Sequence, residues 1–149
     1  MPSTRKQTQA MISLLPASLR GRIADVGSGW GTLAIALARH FPECRITGFE
    51  NSPIPLFVSK LFAKFARTSN LELIRADLLN VSFSDFQGVV CYLHPAGMRK
   101  LQTKLQAESP AGTLVICNTF AMAGWTPEKV TKLDDLYHTQ IYFYRTSDV

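Results

Sequence analysis

The sequence predicts an α/β fold: a mostly parallel, twisted sheet with helices on both faces, closed by an antiparallel hairpin at its carboxyl end. Three observations carry that expectation. Short apolar runs alternate with segments of helical period, the pattern of successive β-α-β units. A glycine-rich turn, Gly27–Gly31, lies between one such run and the helix after it. The last two runs follow each other with no helical segment between them.

The elements read off in order. A first helix spans Thr4–Leu15 and stops before Pro16. The first strand is Arg22–Val26, and the glycine turn leads into a helix ending near His40, with Pro42 just past that end. Arg45–Glu50 is the second strand. Ser52 then caps a helix with Pro53 at its first position, where a missing N–H costs nothing. Ile54, Phe57, Val58, Leu61, Phe62 and Phe65 recur at helical spacing and are expected to form its buried stripe. Lys60, Lys64 and Arg67 fall on the other side as a solvated face. Leu71–Arg75 and Gly88–Leu93 are strands three and four. A helix over Ala96–Ala107 precedes strand five, Thr113–Asn118, and two short strands near Val130–Leu133 and over Gln140–Arg145 end the chain.

Composition narrows the class. A length of 149 residues suits one domain over 1–149, and 46% hydrophobic with 18% charged residues is a soluble globular balance. The formal charge of +5 suits an acidic partner, but the bases are scattered and form no basic arm, so nucleic-acid binding has no specific support. Cys44, Cys91 and Cys117 are odd in number and widely spaced, which argues against disulfides and against a metal site. With no signal-peptide core and no apolar run of spanning length, the expected location is cytoplasmic. Nothing in the sequence fixes the oligomeric state.

The chemistry concentrates in Asp25-Val26-Gly27-Ser28-Gly29-Trp30-Gly31. Alternate glycines let a backbone turn sharply and approach a ligand, and the helix opening there offers free N–H groups and a positive dipole end. A dinucleotide fingerprint places its third glycine at position 32, which is Thr32; here it falls one residue early. Asp25 would repel a pyrophosphate but suits a ligand with an ammonium group and a sulfonium. Glu50 ends strand two, where a carboxylate can accept from ribose hydroxyls, and Asp77 follows strand three, where it can accept from an adenine amine. Each acid alone reads equally well as a surface residue at a strand end. Three of them at successive strand ends beside the turn point to one crevice.

On these residues the sequence resembles the class I S-adenosylmethionine-dependent methyltransferases. The motifs are Asp25 to Gly31, Gly48-Phe49-Glu50 and Arg75-Ala76-Asp77-Leu78. The resemblance implies the Rossmann-like fold of that class and S-adenosylmethionine as cofactor. It further implies that Gly27, Ser28, Gly29, Trp30 and Gly31 wrap the methionine moiety while Asp25 binds its ammonium. Glu50, with Asn51 beside it, would take the ribose, and Asp77 with Leu78 the adenine.

The methyl acceptor is less marked. Tyr92-Leu93-His94-Pro95 ends strand four without the Asn-Pro-Pro-Tyr motif of DNA and glutamine enzymes, and Cys91 lies in an apolar strand rather than as a cytosine nucleophile. Asp25 to Gly31, Pro95, Asn118-Thr119-Phe120 and Gly124-Trp125-Thr126-Pro127 together resemble the small protein-lysine N-methyltransferases that modify the ATP synthase c-subunit and the adenine nucleotide translocase. Trp30 departs from the acid expected there, and the hydrophobic amino-terminal segment of the eukaryotic members is lacking. The resemblance implies a lysine acceptor, with Tyr92, His94 and Trp125, and Phe120 beside them, lining its pocket. The bland alternatives are a structural histidine at a helix start and aromatic core packing; His40 and His138 read as surface residues. Rival functions are a non-catalytic cofactor-binding module, a nicotinamide oxidoreductase, and a methyltransferase of RNA or a small metabolite.

Overall fold

The computed structural model describes residues 3–147. Helix α1 (Arg5–Leu14) starts from a reciprocal cap: Thr4 Oγ1 accepts the Gln7 N–H, and Gln7 Oε1 accepts the Thr4 N–H. There follow β1 (Gly21–Val26), α2 (Thr32–His40), β2 (Cys44–Glu50), α3 (Pro53–Ala66) and β3 (Leu71–Arg75). The second half holds β4 (Gly88–Cys91), α4 (Pro95–Glu108), β5 (Leu114–Asn118), β6 (Lys129–Lys132) and β7 (Gln140–Arg145). These bounds lie close to those expected from the sequence. The exception is β4, which stops at Cys91 so that Tyr92–His94 can bend away into α4.

The seven strands form one sheet in the order β3-β2-β1-β4-β5-β7-β6. Strands β1 to β5 are parallel, and β7 runs antiparallel to both β5 and β6, which is the expected hairpin. The chain winds outward from β1 to β3 and then returns to β4 on the other flank of β1. That reversal opens a crevice at the carboxyl ends of β1 and β4, the place where sheets of this kind bind ligands.

Alternating side chains supply two core layers. Ile23, Ile46, Val90 and Ile116 pack with Met11, Leu33, Leu37 and Leu56 beneath α1, α2 and α3. Ala24, Val89, Cys91, Val115 and Cys117 face the other way, onto Met98, Leu101 and Leu105 of α4. On that second side the β3–β4 connection makes a 3-10 turn at Leu78–Asn80 in place of an α-helix. Phe83 and Phe86 fill the space, with ring centroids 6.4 and 5.9 Å from that of Phe49. The thiols of Cys91 and Cys117 sit 3.5 Å apart in this layer, free and buried as expected.

Helix α3 exposes the stripe expected to be buried, while Lys60, Lys64 and Arg67 are solvated as expected. Ile54 (71% exposed), Phe57 (64%), Phe62 (52%) and Phe65 (82%) face solvent, Leu61 is also exposed, and Val58 is half-buried. The buried residues are Leu56 and Ser59, with Ala63 packed against the core beside them. The reason lies in the neighbouring turn. A Cβ on Gly31 would stand 2.8 Å from Ser59 Cβ, so α3 can lie against the turn only through a small side chain. Ser52 occupies the cap position as expected, yet its side chain makes no capping bond; its N–H donates to Glu50 Oε1 instead.

Candidate active site

Strand β1 delivers Asp25 to the crevice, and the chain then turns through Gly27–Gly31 into α2. Gly27 and Gly31 have φ values of 75° and 86°, in the left-handed region that favours glycine. A Cβ at Gly27 would also meet Leu93 Cδ2 at 2.7 Å, where the chain leaves β4. The tight turn and its close neighbours therefore demand glycine at both places.

A small hollow of about 30 Å³ opens here, lined by Asp25, Gly27, Ser28, Gly29, Thr32, Leu33, Tyr92 and Ser3. It has room for a water-sized or ammonium-sized group. Asp25 is 2% exposed, and its Oδ2 has no hydrogen-bond partner among the described residues; neither has Ser28 Oγ. Burial first, and the negative charge of Glu50 second, push the Asp25 carboxyl up to about 7, with only a backbone hydrogen bond from Ala34 pulling it down. A buried acceptor without a donor is costly, and one beside a second carboxylate is suited to a cation.

Glu50 is held against the same turn. Its Oε2 accepts the Gly29 N–H at 2.7 Å while Oε1 accepts from Ser52. The next strand end carries Asp77, exposed and capping the 3-10 turn through Oδ1 to the Leu79 N–H. The Ala76 N–H donates to the Glu50 carbonyl, so the ends of β2 and β3 stay joined past the ladder. Trp30 is 38% exposed at the rim. Asn51 is exposed, with its carbonyl accepting from Arg75 Nε, and Leu78 packs against the α4-side core.

The candidate acceptor residues separate. Tyr92 borders the hollow. His94 is exposed at the cap position of α4 and makes no side-chain capping bond. Trp125 lies elsewhere: its ring meets Tyr144 edge-on at 5.7 Å, and it lines a separate hollow with Leu105 and Ser109 at the far end of α4. Trp125 and Tyr92 thus line different hollows, because the segment after β5 runs back along the sheet before pairing as β6. Phe120 packs against the α4-side core. The Cys91 thiol is held well above its ordinary value by its hydrogen bond with Cys117 and by burial, which suits a structural role.

Sequence reasoning missed a buried polar chain beside the site. Asn118, fully buried at the end of β5, donates through Nδ2 to Gln7 Oε1, and Gln7 Nε2 donates to Thr139 Oγ1. Thr139 in turn donates to Asp135 through its N–H and hydroxyl. Next to Asn118, Thr119 takes a positive φ of 72°, strained for a β-branched residue. This chain ties the start of α1 to the carboxyl edge and so holds Ser3 over the hollow. A Thr-x-x-Gln cap can be read from sequence; the second use of Gln7 cannot.

No helix among the described residues is long and apolar enough to cross a membrane. A family model described as the ANTKMT methyltransferase domain matches residues 25–129. The chain is 32% identical over 133 residues to the ATP synthase c-subunit lysine N-methyltransferase of Mus musculus, covering 88% of this chain and 52% of that protein. It therefore spans about half the length of that relative. A protein-lysine N-methyltransferase of Saccharolobus islandicus (strain REY15A) is 26% identical over 147 residues, covering 97% of this chain and 91% of its own. Among solved structures, an RNA methyltransferase from Salinibacter ruber in complex with S-adenosyl-L-homocysteine superposes with a TM-score of 0.89 at 26% identity, covering 100% of this chain and 95% of that one.

Proposed function

This chain belongs to the ANTKMT methyltransferase domain family, and on that footing we propose that it is an S-adenosylmethionine-dependent enzyme methylating the amine of a protein lysine. The observation that carries this reading is the buried Asp25 Oδ2 left without a partner in the hollow of the glycine turn. Asp25 would accept the ammonium end of the cofactor there. Gly27, Ser28, Gly29, Trp30 and Gly31 wrap that end, with α2 N–H groups toward its carboxylate. Glu50 and Asn51 would hold the ribose, and Asp77 and Leu78 the adenine. One domain over residues 1–149 carries the reaction, and the buried free thiols of Cys91 and Cys117 suit the reducing cytoplasm.

When bound, the cofactor supplies an electrophilic methyl group on its sulfonium, so the protein's task is alignment. Tyr92 and His94, at the end of β4, are the residues we assign to the acceptor side; Trp125 is not among them. A lysine reacts only as the free amine, and desolvation against the Tyr92 ring lowers its pKa toward neutrality. The activities for which the mouse and Saccharolobus relatives are named support the lysine acceptor.

The test uses cofactor labelled in its methyl group, incubated with the protein and cell extract. Label recovered as N-methyl-lysine after protein hydrolysis is the expected result, with turnover in Tyr92→Ala reduced about tenfold or more, a larger fall than any loss of cofactor affinity, and largely kept in Tyr92→Phe. Label in RNA would favour the activity for which the Salinibacter neighbour is named. Cofactor binding without any labelled product would leave a binding module.

A further inference from the structure

We propose that the outer face of α3 docks onto a membrane surface rich in anionic lipid headgroups, with the helix lying in the plane of that surface. Single exposed apolar residues are ordinary, but a contiguous stripe on one helix face is not. Ile54, Phe57, Leu61 and Phe65 stand at spacings of three and four along α3, Phe62 borders them, and all five are exposed. Nothing on the fold's interior uses this face, since α3 meets the core through Leu56, Ser59 and Ala63.

The charges around the stripe identify the partner. Lys60 and Lys64 border it on one side, and Arg39 of α2 lines one hollow with Phe62 and Phe65 on the other. Helices α1, α2 and α3 contain no Asp or Glu, although the chain has eleven of them in all, and the acids nearest on this side, Asp134 and Asp135, stand by Lys6 of α1 rather than by α3. Among the described residues Arg39, Lys60 and Lys64 form no ion pair. An apolar stripe edged by unpaired cations on long stems is the arrangement of an interfacial helix: rings below the headgroups, ammonium and guanidinium groups among them. A second copy fits less well. A two-fold pairing of this face would oppose its cations to one another, with no acid there to answer them. Because α3 starts directly after Glu50-Asn51-Ser52, docking also brings the carboxyl edge of the sheet beside the bilayer.

Co-sedimentation of the full chain with vesicles tests this. Vesicles of phosphatidylcholine mixed with phosphatidylglycerol are expected to carry the protein down, and phosphatidylcholine alone to do so at least about tenfold less well. The variant Phe57→Ser/Phe65→Ser is expected to lose at least about tenfold in binding with an unchanged circular dichroism spectrum. Lys60→Gln and Lys64→Gln, at exposed sites that do not endanger folding, are each expected to weaken binding about fivefold. The proposal is overturned if the native chain stays in the supernatant with mixed vesicles, or if the Lys and Phe variants bind as well as it does. A dimer in sedimentation velocity that Phe65→Ser dissolves, without vesicle binding, would assign the face to a second copy instead.

Discussion

The glycine turn and helix α3 touch each other, yet they differ in how their sequence relates to their structure. In the turn Gly27 and Gly31 each face a local steric demand. Gly27 and Gly31 sit at positive φ, and each would drive a Cβ to within 2.8 Å of a neighbouring side-chain carbon. Only one residue type meets such a demand, so the motif is readable. Helix α3 faces a choice instead. Leu56, Ser59, Ala63 and Ala66 recur at helical spacing on one side, and Ile54, Phe57, Leu61 and Phe65 recur on another. Hydropathy favours burying the larger set, while the structure buries the smaller one because α3 must approach Gly31 closely. Steric fit outweighs apolar area here, and the excluded area becomes surface.

That contrast is open to measurement. The largest expected effect is in the core beneath β2: Phe83→Ala should cost about 3–5 kcal/mol in chemical denaturation, since Phe83 is fully buried against Phe49 and Phe86. Gly31→Ala should cost about 2–4 kcal/mol, joining a left-handed backbone penalty to a clash with Ser59. Glu50→Ala should weaken S-adenosylhomocysteine binding about tenfold, or about 1.4 kcal/mol, seen by calorimetry. Phe65→Ala should change stability by no more than about 0.5 kcal/mol, despite removing the same ring as Phe83→Ala. A loss near that of Phe83→Ala would mean that α3 packs as its hydropathy pattern indicates.

The legible parts are those written in short-range rules. Strand and helix bounds follow from period and from punctuating Pro and Gly, and the hairpin follows from the missing helix before Gln140. Asp25, Gly27, Ser28, Gly29 and Tyr92 share one hollow, and Glu50 bonds to the same turn. What escapes depends on the path of the chain in space. Sequence groups Trp125 with Tyr92 as aromatics in motifs that resemble one enzyme family, but the segment after β5 carries Trp125 back to Tyr144. Gln7 and Asn118, 111 positions apart, meet in a buried hydrogen bond that no local pattern encodes. Asp77 is readable as a strand-end acid; its bond to Leu79 shows how readily such a residue also serves as a cap.

Asp25 is where the cofactor site is most exposed to refutation. Burial, and the Glu50 charge after it, push the Asp25 carboxyl up to about 7, against 3.8 for an ordinary aspartate. The folded state binds the carboxyl proton more tightly than the unfolded state does, so stability falls as pH climbs through this window. A cationic ligand end needs the ionised form, so affinity moves the opposite way. The deciding experiment is calorimetric titration with S-adenosylhomocysteine at pH 6 and pH 8, on the native chain and on Asp25→Asn. Binding should be several-fold tighter at pH 8 for the native chain, with proton release near neutrality, and weak and insensitive to pH for the variant. Native affinity that ignores pH and survives the substitution, or tighter binding of NAD, would contradict a cation-binding Asp25.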